Sequence, residues 1–144
     1  MFSNAYRSGE RSHFATYRDV GATTSVEGAS PHKLVSMLFQ ALAREVTLAR
    51  GAIARREVAE KGRAISHAVR IVEEGLMAPL DLEAGGPLAA NLRDVYEHMI
   101  YRLTLANVNS DDASLVHCAR LVETLREGWD AIGERVGAPT ASHA

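Results

Sequence analysis

Apolar residues recur at steps of three and four along most of the chain, which is the spacing of one face of an α-helix. Four such stretches alternate with segments rich in Gly, Pro, Ser, Asn and Asp. None of the stretches shows the sustained alternation of apolar and polar residues that a half-buried strand requires. The pattern therefore predicts an all-α protein, and the mostly short connections favour an antiparallel up-down four-helix bundle.

The first predicted helix opens at Ser30-Pro31. Ser supplies an N-cap oxygen, and Pro fits the first turn because the N–H group that it lacks has no intrahelical partner there. The stripe is wide enough for a helix with more than one neighbour. Its apolar positions are Leu34, Leu38, Leu42, Val46, Ala49 and Ile53.

The second predicted helix follows the charged connection 55–57 and ends before Pro79. Gly75 interrupts its last turn, so the helix is expected to bend or fray there. Its stripe consists of Val58, Gly62, Ile65, Val69, Val72 and Leu76.

The clearest break in the pattern is the segment 80–87, in which Pro87 can open the third helix. A turn at 107–112 separates the third helix from the fourth, and its Ser and Asp side chains can cap the start of the latter. The third stripe is Leu88, Leu92, Val95, Met99, Leu103 and Ala106, and the fourth is Leu115, Cys118, Val122, Leu125, Trp129, Ile132 and Val136.

The ends of the chain lack this periodicity. Residues 1–29 are polar and rich in Ser, Thr and Gly, which predicts a flexible N-terminal arm. Residues 30–136 form the predicted bundle, and residues 137–144 a flexible tail. The arm carries three apolar residues at helical spacing, Phe14, Tyr17 and Val20. We expect these side chains to dock on an apolar groove and to be displaced by a partner.

Composition narrows the possible functions. The 144 residues carry a net charge of −2, and glutamates dilute the basic residues between 50 and 63, so no electrostatic footprint for nucleic acid is present. No stretch is long and apolar enough to cross a membrane, and the N-terminus lacks the apolar core of a secretory signal. A single cysteine, Cys118, fits a reducing compartment. We therefore expect a cytoplasmic protein without membrane insertion.

Candidate chemistry is sparse. The residues three before His67, His98 and His117 are not glutamates, so the Glu-x-x-His template of helical-bundle metal sites is absent. Asp94 and His98 share a helical face, where a surface hydrogen bond or ion pair is the more common arrangement. Cys118 lies on a core stripe, as a small buried hydrophobe does. No catalytic residue, cofactor or metal is expected.

One signalling function remains an alternative. Histidine phosphotransfer domains are four-helix bundles that present an exposed His with a basic residue about one turn away. His67 and Arg70 have this spacing on the predicted solvent side of the second helix. Ile71, however, occupies a position at which those domains carry Gly.

Several apolar residues lie off the core stripes. On the third helix, Tyr101 and Leu105 share a flank with Asp94 and His98. Scattered surface hydrophobes are ordinary in soluble proteins. Apolar side chains aligned along a groove between helices can instead receive an amphipathic partner segment. Periodicity alone does not separate these two interpretations.

An ordered set of short motifs resembles the flagellin export chaperones, the FliS family. The set begins at Tyr17 and continues with Ala-Ser-Pro-His-Lys-Leu-Val-Ser-Met-Leu-Phe at 29–39. Further matching stretches are Ala64-Ile65, Ile-Val-Glu-Glu-Gly-Leu at 71–76, Leu-Asp-Leu-Glu-Ala-Gly-Gly-Pro-Leu-Ala-Ala-Asn-Leu at 80–92, Tyr96, Leu-Thr-Leu-Ala-Asn at 103–107, Leu125-Arg126 and Trp129. The spacer between Tyr17 and Pro31 is longer than in many members.

This resemblance implies a chaperone and not an enzyme. It implies binding of the disordered C-terminal segment of flagellin, protection from premature polymerisation, and delivery to the export gate of the flagellar type III apparatus. In the family the partner wraps around the bundle, so we expect contacts on the groove flanks. The expected partner-binding residues are Ile71, Leu76, Tyr96, Tyr101, Leu105 and Asn107, followed by Leu34 and Leu38, although Leu34, Leu38 and Leu76 also suit the bundle core.

Overall fold

The computed structural model describes the backbone of residues 30–142 and the side chains of residues 30–133. This part of the chain forms four helices, which confirms the all-α prediction. The helices are α1 (Pro31–Ala54), α2 (Val58–Arg70, continued by a π-helical segment, Ile71–Met77), α3 (Leu82–Asn109) and α4 (Asp112–Ser142). Residues 1–29, and with them Phe14, Tyr17 and Val20, lie outside the described residues.

Neighbouring helices run antiparallel, as the short connections predict. The end of α1 pairs with the start of α4 through Arg50 and Asp112, and the start of α1 contacts the far part of α4 through His32 and Trp129. α1 therefore packs between α2 and α4, and α3 completes the bundle. The other neighbouring pairs show the same reversal: Glu45 with His67, Lys61 with Ser110, and His98 with His117.

The start of α1 follows the local signals in the sequence. The Ser30 side chain accepts a hydrogen bond from the backbone N–H of Lys33 at 3.1 Å, and Pro31 is the first helical residue. His32 then stacks on the indole of Trp129, with ring centroids 4.6 Å apart. His32 Nε2 donates to the Trp129 carbonyl, and Trp129 Nε1 donates to the His32 carbonyl. These paired bonds fix α1 against α4 at this end of the bundle.

The second helix widens near its end instead of fraying. The segment Ile71–Met77 is π-helical, and Gly75 within it is buried. A π-helical turn places one more residue in the turn than an α-helix does, so it changes which side chains face the core after it. The irregularity predicted at Gly75 is therefore a π-helical segment and not a frayed helix end.

The third helix starts earlier than the pattern predicts. The Asp81 side chain caps the N–H groups of Glu83 and Ala84, and a single turn forms before Gly86. Gly86 has φ 55° and ψ −138°, a left-handed conformation that breaks the helix, and Pro87 begins the long straight part. Pro87 therefore lies where the sequence predicts a helix start, with one extra helical turn before it.

The core is continuous through all four helices. Its largest fully buried side chains include Trp129, Tyr96, Phe39, Leu38, Leu42, Ile65, Ile71, Leu76, Met99, Leu103 and Leu115.

Three boundary or burial predictions are corrected. The pattern predicts Val58 in the core stripe, but Val58 begins α2 and is 71% exposed, because the bundle ends there. α3 runs to Asn109, through residues predicted as a turn, and it ends at Ser110 in the left-handed conformation. α4 continues to Ser142, beyond Val136 where the apolar pattern stops.

Candidate partner-binding surface

Large apolar side chains are exposed on one side of α3, away from the core. Tyr101 is 60% exposed, Val108 is 74% exposed, and Leu105 between them is half-buried. Steps of four and three residues place these side chains along one side of the helix. We call Tyr101, Leu105 and Val108 the outer face of α3. An aligned row of this kind offers apolar area that a partner can cover.

Basic side chains lie beside this row, between α3 and α4. His98 precedes Tyr101 by about one turn, and its Nε2 lies 2.9 Å from Nε2 of His117, with the rings edge to face. Burial lowers the pKa of His117, and the positive charges of Arg102, His98 and Arg120 lower it further. We call His98, Arg102, His117 and Arg120 the basic cluster.

The arginines of the basic cluster have unused hydrogen-bonding capacity. In the described part of the chain, neither Arg102 nor Arg120 forms an ion pair, and the buried Nε of Arg102 has no hydrogen-bond partner. The cluster is therefore suited to a carboxylate, whereas its positive charge opposes a metal cation between the two imidazoles.

The structure separates the residues predicted to bind a partner into two groups. Tyr101 and Leu105 reach the surface as predicted from their off-stripe positions, and Leu34 and Asn107 are half-buried. The others lie in the hydrophobic core and present at most 1% of their surface: Leu38, Ile71, Leu76 and Tyr96. Leu38 and Leu76 thus take the core position that also suits them, whereas Ile71 and Tyr96 are buried and do not lie on a groove flank. Partner binding by these four residues stays a prediction.

Val108 and Val58 are the most exposed of the large apolar residues in the described part of the chain, and the sequence pattern identifies neither as exposed. The pattern predicts a turn at Val108, although Val108 lies seven residues after Tyr101 and so continues the same face if the helix persists. The pattern also predicts Val58 in the core, whereas Val58 is 71% exposed. The signal for Val108 was present in the spacing. The signal for Val58 was not, because a stripe does not reveal where the neighbouring helices end.

His67 is not the exposed imidazole that phosphotransfer requires. Only 20% of its side-chain surface is exposed, and Nδ1 contacts a carboxylate oxygen of Glu45, which is itself 4% exposed. Arg63 Nη2 donates to the other oxygen of Glu45 at 3.1 Å. The arrangement holds α2 against α1 and gives the signalling alternative no support.

The remaining candidate chemistry is buried or dispersed. Cys118 is fully buried, its thiol faces the Met99 carbonyl, and burial raises its pKa to about 11. Within residues 30–133, no three His, Cys, Asp or Glu side chains are close enough together to hold a metal ion. None of the helices in the described part combines the length and the apolarity needed to cross a membrane.

Comparisons with known proteins agree on one family. The model of the family described as flagellar protein FliS matches residues 13–136. The flagellar secretion chaperone FliS of Salmonella typhimurium is 36% identical over 119 residues, which is 83% of this chain and 88% of that protein. The flagellar secretion chaperone FliSB of Pseudomonas aeruginosa is 40% identical over 116 residues, covering 81% of this chain and 91% of that protein. The corresponding protein of Vibrio cholerae is 28% identical over 122 residues, 85% and 89% of the two chains.

Proposed function

The chain belongs to the FliS family of flagellar secretion chaperones, and from this premise we propose that it binds the C-terminal segment of flagellin. Binding would cover apolar side chains through which flagellin subunits associate and so prevent premature polymerisation. The site acts in the cytoplasm, before the subunit is handed to the export gate of the flagellar type III apparatus. No bond-making step is part of this function.

The outer face of α3 is the observation that carries the proposal. Tyr101 and Val108 keep most of their surface in contact with solvent, although the neighbouring core is closely packed. An aromatic side chain with a hydroxyl tip supplies both apolar area and a hydrogen-bonding group at low conformational cost. A partner helix with apolar residues at steps of three and four can pack along this row.

The basic cluster indicates which charge the partner segment should carry. His98 and Arg102 border the outer face of α3, and in the described part of the chain neither Arg102 nor Arg120 is ion-paired. A partner segment with apolar residues on one side and a carboxylate at its edge satisfies both features. Leu34 and Asn107, which are half-buried, are secondary contact candidates.

Coupled folding and binding explains how such a surface can control a flagellin terminus. A disordered segment must be ordered on the chaperone, and the entropic cost is offset by burying apolar area over a long interface. The complex is then tight enough to protect the segment but releases it without a chemical step, because all of its contacts are noncovalent.

Isothermal titration calorimetry with two flagellin peptides tests the proposal. The C-terminal segment is expected to bind saturably, with a negative heat-capacity change from apolar burial, while the N-terminal segment serves as a matched control. Absence of binding by the C-terminal peptide, or equal binding of both peptides, would overturn the proposal.

A further inference from the structure

A cavity of about 300 Å³ lies at the end of the bundle where the α1–α2 connection meets the α3–α4 connection. This size is at the lower limit for ligand pockets, roughly 300 Å³, so the cavity suits one residue and not a long segment. Its lining combines apolar side chains with two cationic groups, one carboxylate and one hydroxyl: Ala52, Ile53, Arg56, Glu57, Val58, Lys61 and Ser110.

Lys61 is the unusual group in this lining, because it is a lysine with only 7% of its surface exposed. Its Nζ donates to the Ser110 hydroxyl at 2.7 Å, which is a neutral partner. An ammonium has three N–H donors, and a buried cation is normally matched by an anion. Three carboxylates of the adjoining segments are ion-paired: Glu57 with Arg55, Glu60 with Arg63, and Asp112 with Arg50. The fourth, Asp111, accepts hydrogen bonds from the backbone N–H and the hydroxyl of Ser114.

The C-terminus of α3 explains part of this burial. Ser110 ends α3, and the partial negative charge of a helix C-terminus favours a nearby cation. A helix end does not replace a full counter-ion, however, and Lys61 has no carboxylate within ion-pair distance among the described residues.

Two further features of the cavity favour an anion. Arg56 adds a second positive side chain, held on a backbone with φ 58°, a conformation that costs energy for a residue with a Cβ. The first turn of α2 also borders the cavity, and the Glu57 side chain makes no capping hydrogen bond to its N–H groups. Free N–H groups at a helix start attract negative charge.

We propose that this cavity binds the last residue of the partner polypeptide, with its free α-carboxylate on Lys61 and its side chain against Ile53 and Val58. The inference rests on the proposed function, since the partner there is a C-terminal segment. A chain end carries a carboxylate and a side chain on one residue, which matches a small cavity with a cation beside apolar walls. The outer face of α3 ends at the same end of the bundle as the cavity, because Val108 lies in the last turn of α3 and Ser110 caps that turn.

The test compares the flagellin C-terminal peptide as a free acid and as a C-terminal amide, with calorimetric titration of the full chain. We expect the free acid to bind at least about tenfold more tightly, the effect of one charge-assisted contact. Lys61→Met should remove this preference by weakening the free acid to the level of the amide. Lys33→Met is the control, because Lys33 is exposed and lies in the first turn of α1, at the opposite end of the bundle, and it should keep the preference.

The outcomes separate the inference from the proposed function. Equal, intact affinity of the acid and the amide for the native chain overturns the carboxylate site and leaves the proposed function standing. No binding of either peptide overturns both. If Lys61→Met lowers the affinity for both peptides equally, Lys61 only stabilises the end of α3, and the inference is overturned. If that variant does not fold by circular dichroism, the acid–amide comparison on the native chain still decides.

Discussion

Replacing Tyr101 with alanine should weaken partner binding without unfolding the bundle, whereas the same change at Tyr96 should do the reverse. Both tyrosines belong to α3 and lie five residues apart, but Tyr101 is 60% exposed and Tyr96 is 0% exposed. The pair thus compares identical chemistry in two environments. Leu82→Ala supplies a second control, because Leu82 is 45% exposed on the same helix but lies at its other end, away from the outer face of α3.

The exposed fraction of Tyr101 limits how much binding free energy its truncation can remove. Sixty per cent of an aromatic area of roughly 200 Å² leaves about 120 Å² for a partner to cover. At about 25 cal/mol per Å², complete burial contributes at most about 3 kcal/mol. Because burial is incomplete and ordering costs intervene, we expect a loss of about 2 kcal/mol, or roughly thirtyfold in Kd. Stability should change by less than about 0.5 kcal/mol.

The change at Tyr96 acts on the folded state. Truncating a large buried aromatic leaves a cavity and costs about 3–5 kcal/mol, a large share of a typical total stability of about 5–15 kcal/mol. Urea unfolding followed by circular dichroism measures this loss, and peptide calorimetry measures the loss at Tyr101. Native affinity of the Tyr101→Ala protein would refute the assignment of the outer face of α3. A loss of stability at Tyr101 equal to that at Tyr96 would refute the burial difference.

Three further predictions follow from local environments. Gly62→Ala should stabilise the protein by about 0.5–1 kcal/mol, because Gly62 lies inside a helix and a Cβ there meets nothing within 4 Å. Gly86→Ala should destabilise the protein by about 1 kcal/mol or more, because the φ of 55° at this position is unfavourable for a residue with a Cβ. Paired urea titrations measure both changes. Cys118 should resist iodoacetamide at pH 8 in the folded protein and react in urea, since its pKa is raised to about 11; rapid labelling without denaturant would contradict its burial. Folding lowers the pKa of His117, so the unfolded chain binds more protons than the folded one, and the free energy of unfolding should fall as pH drops below about 6.5. His117→Gln should reduce this dependence of stability on pH. An unchanged dependence in that variant would count against His117 as its source.

Local features of the fold could be predicted from the sequence wherever their cause acts within a few residues. Ser30 and Pro31 mark the start of α1 because capping and the missing proline N–H involve only the first helical turn. Pro87 marks a helix start for the same reason, and Gly75 marks the irregular end of α2. Cys118 is buried, as its position on the stripe predicts.

Burial was harder to predict where two residues fit the same periodicity. Val95 and Tyr96 both lie three or four residues from Leu92 and Met99, so either can continue the core stripe. The predicted stripe contains Val95, but Tyr96 is fully buried and Val95 is half-buried. Helical spacing locates the centre of a stripe to within about one residue, and the positions of the neighbouring helices determine which of two adjacent residues is buried.

A bundle of four amphipathic helices could be predicted from the chain alone, since the period of the apolar residues and the caps between them are local properties. The flank of each helix that faces solvent, and the distant groups that meet, depend on how the helices pack. His98 and His117 are 19 residues apart, and Lys61 and Ser110 are 49 residues apart. These contacts depend on the rotation and register of whole helices, which small packing differences across the core select, and no short stretch of sequence encodes them.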